Sequence, residues 1–236
     1  MQSQANLQNR LLREFPAASW SRLSAEFEPV RLQRRMELVE PGVASPVVYF
    51  PDYGLVSLVK TMTDGRTVEI GVVGPEGLIG VSALFGMTQP TFEAIVQVEG
   101  TAYRISTAAL KDEATRSPLL QALISRYMRY RISSLAQTAA CNRLHTMRHR
   151  CCSWLLKSHD AVQRDTFTLT HEFLALVMGV SRSRLSLILQ AIQKEGLIDY
   201  HYGALTIQDR CALEQGACEC YETLRHEAEL VIQPVN

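Results

Sequence analysis

The stretch "LVMGVSRSRLSLILQAIQKEGLI" constrains the fold more than any other part of this 236-residue sequence. Ala175 is small where two helices must cross closely, and Gly179 follows at a turn that needs positive φ. Leu174, Met178, Val180, Leu185 and Ile188 supply apolar residues where the two helices lock together. Thr170 and Ser181 are placed to cap the first and second helix, each side-chain oxygen accepting from an orphan backbone N–H. In the second helix Leu185, Ile188, Leu189 and Ile192 share the inward face, which leaves Arg182, Ser183, Ser186 and Gln190 outward. A helix N-terminus that carries arginines and hydroxyls suits phosphates and major-groove base edges: Arg to guanine, Ser to either partner, Gln to adenine. The residues expected to contact DNA are therefore Thr170, Ser181, Arg182, Ser183, Arg184, Ser186 and Gln190. The next stretch, "GLIDYHYGALTI", reads as a strand, a Tyr202–Gly203 turn and a second strand, the wing of a winged helix.

Upstream the pattern is of strands. From about Arg31 to Ile105, Val, Ile and Tyr runs alternate and are cut by turn dipeptides. Val56, Leu58 and Lys60 alternate with Ser57, Val59 and Thr61, and Asp64–Gly65 predicts a two-residue hairpin before Val68 and Ile70. Many short strands at this spacing predict an antiparallel barrel or jelly roll.

At Ser117 the period switches. Ser117–Pro118 is a helix start, with a cap followed by proline in the first turn. Leu120, Leu123, Ile124, Tyr127, Met128, Ile132, Leu135 and Ala139 then form one helical stripe, beside Arg126, Arg129 and Arg131 that are expected to face solvent. A stripe this long is either ordinary core or a seam between two subunits, and its place between a barrel and a small domain favours the seam. Leu120, Ile124, Tyr127, Met128 and Leu135 are its expected contacts. Residues 142–146 read as a hinge, and Met147 to Ser158 as a resumed helix.

Charge and cysteine usage narrow the rest. Lys+Arg and Asp+Glu both number 24, so a uniformly basic coat is excluded while a local basic patch is not. The apolar runs fall short of a membrane span and the polar start is no signal peptide, so no membrane partner is expected. Six cysteines, none before Cys141, do not resemble a secreted disulfide framework, which predicts a cytoplasmic protein with reduced thiols.

These features together resemble the Crp/Fnr superfamily of bacterial transcription regulators. The resemblance runs from about Phe27 to Ile207. It rests on "GVSRSRLSLILQAIQKEGLI", similar to the family's recognition helix, and on "VVYFPDYGLVSLV" through "GVVGPEGLIGVSALFG", similar to its central strands and effector turn. It implies an α+β fold: an N-terminal antiparallel, cyclic-nucleotide-binding-like β-barrel (residues 1–116), a long dimerisation helix and hinge (117–145), and a C-terminal winged helix-turn-helix with a helical extension (146–236). The implied protein is a homodimer on double-stranded, pseudo-palindromic DNA, with RNA polymerase and a small-molecule effector as further candidate partners, and with no enzymatic activity or cofactor.

Family members that bind cyclic AMP hold the ribose with a glutamate after a Gly-rich turn and the phosphate with a following Arg-Ser/Thr-Ala. Here Gly80 is followed by Val81 where the glutamate would sit, and the arginine's place falls on Phe92, followed by Glu93 and Ala94. Each charge-assisted bond lost is worth about 1.5–3 kcal/mol, so tight cyclic-nucleotide binding is not expected. The expected pocket is apolar, lined by Gly80, Val81, Ser82, Leu84, Phe85, Phe92 and Glu93.

Other chemistries have weaker marks. Cys141, His145 and His149 share one face of a continuous helix with Cys152 nearby, a thiolate–imidazole set for zinc or haem, but Arg143, Arg148 and Arg150 crowd it with positive charge and no metal is expected. Cys211, Cys218 and Cys220 form a second group in the tail, read as free thiols on a half-buried helix. No histidine precedes His145, which removes a cupin-type metal enzyme, and no phosphate loop or nucleophile elbow stands out. Two alternatives to the regulator remain: a ligand- or partner-binding signalling module, and a metal- or redox-sensing regulator using the hinge or tail Cys and His.

Overall fold

The computed structural model describes residues 4–87 and 89–232. Two short helices, α1 (Arg10–Arg13) and α2 (Ala17–Leu23), precede strands β1 (Glu28–Leu32), β2 (Glu37–Val39), β3 (Val47–Thr61) and β4 (Thr67–Val73). A one-turn helix α3 (Val81–Leu84) leads into β5 (Glu93–Ser106), then α4 (Thr107–Arg116) and the long α5 (Pro118–Leu144). The C-terminal part comprises α6 (Met147–Val162), β6 (Thr166–Thr168), α7 (His171–Met178), α8 (Arg182–Lys194), β7 (Ile198–His201), β8 (Ala204–Ile207), α9 (Arg210–Gln215) and α10 (Cys220–Ile232).

The N-terminal strands form one antiparallel sheet in the order β1-β5-β3-β4, with β2 also on β5. In place of many short strands, two long ones carry the sheet around. Their register slips between Pro51 and Val56, where the strands bend. Gly100 makes that bend possible, because a Cβ there would lie 2.0 Å from the Tyr53 carbonyl oxygen. The β3–β4 connection differs from the two-residue expectation. Met62 N–H bonds the Arg66 carbonyl at 2.8 Å, leaving a three-residue loop in which Gly65 takes φ 82°.

Burial along β3 does not alternate either. Val56, Ser57, Leu58 and Val59 are all buried, because helices cover the face that a half-exposed strand would give to water. The cover is partly polar. Glu69 on β4 accepts from the Ser57 hydroxyl and, at 3.3 Å, from the Trp154 indole N–H of α6. Burial pushes its pKa up to about 7, against the opposing pull of those two donors and of Lys157 and Arg150.

The N-terminal segment, which gave no sequence signal, is pinned by a buried amide. Asn9 donates to the Pro51 and Gly77 carbonyls at 2.7 and 2.8 Å while its oxygen caps α1. Leu7, Leu11, Leu12 and Phe15 then join Phe50, Leu120, Leu123, Ile124 and Tyr127 in one core cluster. A second cluster joins the C-terminal helices to Leu55 and Val98 of the sheet. The expected hinge is narrower than residues 142–146. Helix α5 continues through Leu144, and only His145 and Thr146 are non-helical, with Thr146 capping α6. The tail is two helices, not one, and α10 lies antiparallel along α5: Gln137 bonds Cys220 at one end and Arg126 donates to the Val231 carbonyl at the other. Among the described residues no helix is long and apolar enough to cross a membrane.

Candidate nucleic-acid interface

The α7–α8 unit is built by local chemistry. Thr170 Oγ1 accepts from Phe173 N–H at 3.3 Å and Ser181 Oγ from Arg184 N–H at 3.3 Å, so both helices start on a side-chain cap. Gly179 ends α7 with φ 68°, while its N–H reaches Leu176 and that of Val180 reaches Ala175, each at 3.0 Å. This left-handed closure satisfies the last carbonyls of α7 and aims the chain across it. Leu174, Ala175, Met178, Leu185, Leu189 and Ile192 are buried in the shared core.

The opposite face of α8 is open. Ser181, Arg182, Ser183, Arg184 and Gln190 are exposed, Ser186 is half-buried, and Leu187, between them, is 68% exposed. Neither Arg182 nor Arg184 makes an ion pair among the described residues. An uncommitted guanidinium at a helix N-terminus is free to meet an anion or a base edge.

Two rings that flank this unit, His171 and Tyr200, hold the open face in place. Ser186 donates to the Arg182 carbonyl at 2.9 Å, and its oxygen lies 3.1 Å from His171 Nδ1. His171 stacks on Tyr200 of β7 at 4.5 Å, and the Tyr200 hydroxyl donates to the Leu169 carbonyl at 2.8 Å. Burial, helped by the nearby Arg182 charge, lowers the His171 pKa. His171 and Tyr200 thus turn inward and brace α8 against the wing. At the wing tip Tyr202 (φ 49°) and Gly203 (φ 82°) form a left-handed pair that leaves the Tyr202 ring in solvent.

The expected effector turn is dispersed. Gly80 caps α3 at φ 89°. Leu84 is buried in the core cluster it shares with α4 and α5, Phe92 packs against a different cluster inside the sheet, Phe85 is 55% exposed, and Glu93 opens β5 with Thr61 within 3.2 Å of its carboxylate. Val81 packs beside Leu84, and Ser82 is half-buried on the same turn. The seven residues are thus divided between two core clusters and the surface, and only Val81, Ser82 and Leu84 share the one-turn helix.

The expected subunit seam also needs correction. Leu120, Ile124 and Tyr127 are buried against the chain's own N-terminal core. Tyr127 is fastened there: its hydroxyl accepts from Leu78 N–H at 3.0 Å and donates to the Leu78 carbonyl at 2.9 Å. Arg131, expected in solvent, is 5% exposed and donates to the Val72 carbonyl at 2.9 Å. Of the five expected contacts only Met128 and Leu135 stay accessible, and with exposed Ile132 and Ala139 they form a stripe beside the buried one. Arg126, Gln137 and Cys141, which meet α10 and the turn before it, lie roughly half a turn from that stripe.

Known proteins share this arrangement. The Cyclic nucleotide-binding domain family matches residues 29–117, and the Crp-like helix-turn-helix domain family matches residues 149–215. The transcriptional regulator SdrP of Thermus thermophilus is 28% identical over 183 residues, 75% of this chain and 88% of that protein. A CRP-family transcriptional regulator, also of Thermus thermophilus, has a solved structure with a TM-score of 0.64 at 24% identity, covering 80% of this chain and 96% of that one. A crp/fnr-family protein of Eubacterium rectale matches at a TM-score of 0.64 and 17% identity, over 87% of this chain and 96% of that one. At these identities the solved structures show the fold alone.

Proposed function

We propose, for a chain that belongs to the Crp/Fnr superfamily of transcription regulators, that it is a cytoplasmic homodimer which reads a pseudo-palindromic duplex with one α8 per half-site. The observation that carries this reading is the uncommitted, outward pair of arginines on a capped helix that His171 and Tyr200 hold in fixed register. Arg182, first after the cap, reads a guanine. Arg184 is rotated by about 200° from it on a 3.6-residue turn and meets phosphate. Ser183 and Gln190 face further base edges, and exposed Leu187 suits a thymine methyl.

The two readers require fixed spacing of about one DNA turn (~34 Å). The accessible stripe Met128, Ile132, Leu135 and Ala139 supplies it as the subunit contact, on a face of α5 that α10 leaves clear. RNA polymerase is the natural further partner of a DNA-bound dimer, and the protein acts through binding, not catalysis. Cyclic AMP is not the effector, because Phe92 stands where a phosphate would need an arginine, the Glu93 carboxylate follows it, and Leu84 is committed to the core.

Operator selection on random duplexes, followed by affinity measurements on single-base variants at two salt concentrations, tests this. Arg182→Ala is expected to relax preference at one base pair per half-site by about 1–3 kcal/mol. Arg184→Ala is expected to weaken all duplexes alike and to lower the salt slope by about one unit per phosphate contact. A change in salt slope alone for Arg182→Ala would overturn its assignment. Cyclic AMP binding by calorimetry at micromolar concentration would overturn the effector reading.

A further inference from the structure

Four potential metal ligands from two distant segments converge where α5 ends. Cys141 lies in the last turns of α5, His145 is its C-cap, and Cys218 and Cys220 flank the start of α10. Their ligand atoms all lie within 4.8 Å of one another. Cys141 Sγ is 3.6 Å from Cys218 Sγ, and Cys220 Sγ is 3.4 Å from His145 Nδ1. A tetrahedral zinc, with Zn–S near 2.3 Å and Zn–N near 2.0–2.1 Å, sets two sulfurs about 3.8 Å apart and a sulfur and a nitrogen about 3.5 Å apart. These two separations match one four-coordinate ion, and the remaining ligand atoms lie within 4.8 Å of them. An iron–sulfur cluster would need its ligands much farther apart.

The surroundings also fit. His145 Nε2 lies 3.1 Å from Glu219 Oε1, which orients the ring and leaves Nδ1 toward the thiols. Gln137 Nε2–H donates to Cys220 Sγ at 3.0 Å. Ser153 Oγ is 3.1 Å from Cys218 Sγ and accepts from the Cys218 N–H at 3.3 Å. Three thiolates around a divalent cation leave one net negative charge, so the nearby arginines favour the loaded site. Two of them are also occupied elsewhere: Arg148 pairs with Glu195 and Arg150 reaches the Met178 carbonyl.

We infer that Cys141, His145, Cys218 and Cys220 form a Cys3His zinc site that fastens the start of α10 to the end of α5. The sequence groups these residues differently. His149 shares a helical face with Cys141 only if the helix is continuous, and the break at His145–Thr146 removes it. Cys152 is buried in the C-terminal core and Cys211 is exposed on α9. Each sequence cluster therefore contributes only part of its members, and the site exists through the antiparallel return of α10. Since Ser153 belongs to α6, the ion would tie together three helices around the two non-helical residues that join the sensor half to the DNA-reading half.

The full chain, purified under reducing conditions and stripped of metal, is titrated with cobalt(II) and then with zinc. We expect one cobalt per chain, tetrahedral d–d bands, a near-ultraviolet sulfur-to-cobalt band, and displacement of both by zinc. C141S and C218S should each lose about a third of the sulfur band, H145A should keep it with weaker binding, and C211S should change nothing. E219Q should lower zinc affinity about tenfold, as a partner of the ligating ring. Because the cysteine variants risk misfolding, the unaltered chain supplies a second measure: a chelator should lower its Tm and zinc should restore it. Absence of tetrahedral cobalt at equimolar metal, an undiminished sulfur band in C218S, or a Cys141–Cys218 disulfide that persists in reductant would overturn the assignment.

Discussion

Helices α5 and α8 each bury one side, and the two sides rest on different things. In α8 the buried stripe of Leu185, Leu189 and Ile192 is the floor of a small local core, and the face opposite it is open and polar except for Leu187. In α5 the buried stripe belongs to a core assembled from the distant sheet, and a second apolar stripe stays exposed next to it, with Ile132 62% exposed. An apolar period establishes that a helix has a covered side. It does not say whether the cover is the same chain or another copy of it.

The sharpest way to break this contrast is to charge the free stripe of α5. Ile132→Glu with Leu135→Glu is expected to leave folding intact and to yield monomers by sedimentation. Operator affinity should fall about 10²–10⁴-fold, because each half-site is then held by an unlinked reader. A dimer that survives would place the subunit contact elsewhere. On the covered stripe the same kind of change should act on the fold. Tyr127→Ala removes a fully buried ring and strands both backbone groups of Leu78, for a loss of roughly 3–5 kcal/mol in urea unfolding.

A third test lies where the sheet meets α6. Glu69 keeps its proton up to pH about 7 in the folded chain, against an ordinary value of 4.5, so between those values the native state binds more protons than the unfolded one. Stability should therefore fall as pH rises through that window, by roughly 3 kcal/mol in all. Glu69→Gln, neutral and nearly the same shape, should flatten this slope and raise stability at pH 8 while changing little near pH 5. Equal slopes for the two proteins in urea melts would remove Glu69 as the cause. The smallest effect is expected in the α7–α8 turn. Gly179→Ala finds open space, since nothing lies within 4 Å of the added carbon, but must hold φ near 68°. The cost of that conformation is about 1–2 kcal/mol, visible as a lower Tm and leaving base preference unchanged.

What could be read from the sequence follows the same division. The caps Thr170 and Ser181, the turn at Gly179 and the outward residues of α8 sit within a short continuous stretch whose spacing fixes their geometry. The effector turn and the stripe of α5 depend on what arrives from elsewhere in the chain. Nothing near Leu84 says which distant core it will join, and nothing near Tyr127 says that Leu78 will meet its hydroxyl. Asn9 reads as an ordinary polar residue until Pro51 and Gly77 are brought over it. Whether the His171 and Tyr200 rings face phosphate or their own wing is likewise decided by a contact between separate elements.

The antiparallel return of α10 has a consequence in time as well as in space. Val231, near the end of that helix, lies in the same core cluster as Leu7, Leu11 and Leu12. Segments more than 200 residues apart thus share one interior, and α10 leaves the ribosome long after α1. The N-terminal half can collapse during synthesis, but it cannot close its core until α10 has been made. Such sequence-distant contacts slow folding and leave apolar surface open meanwhile. Nascent chains stalled before residue 220 should therefore be held by chaperones and cut by proteases that spare the finished protein.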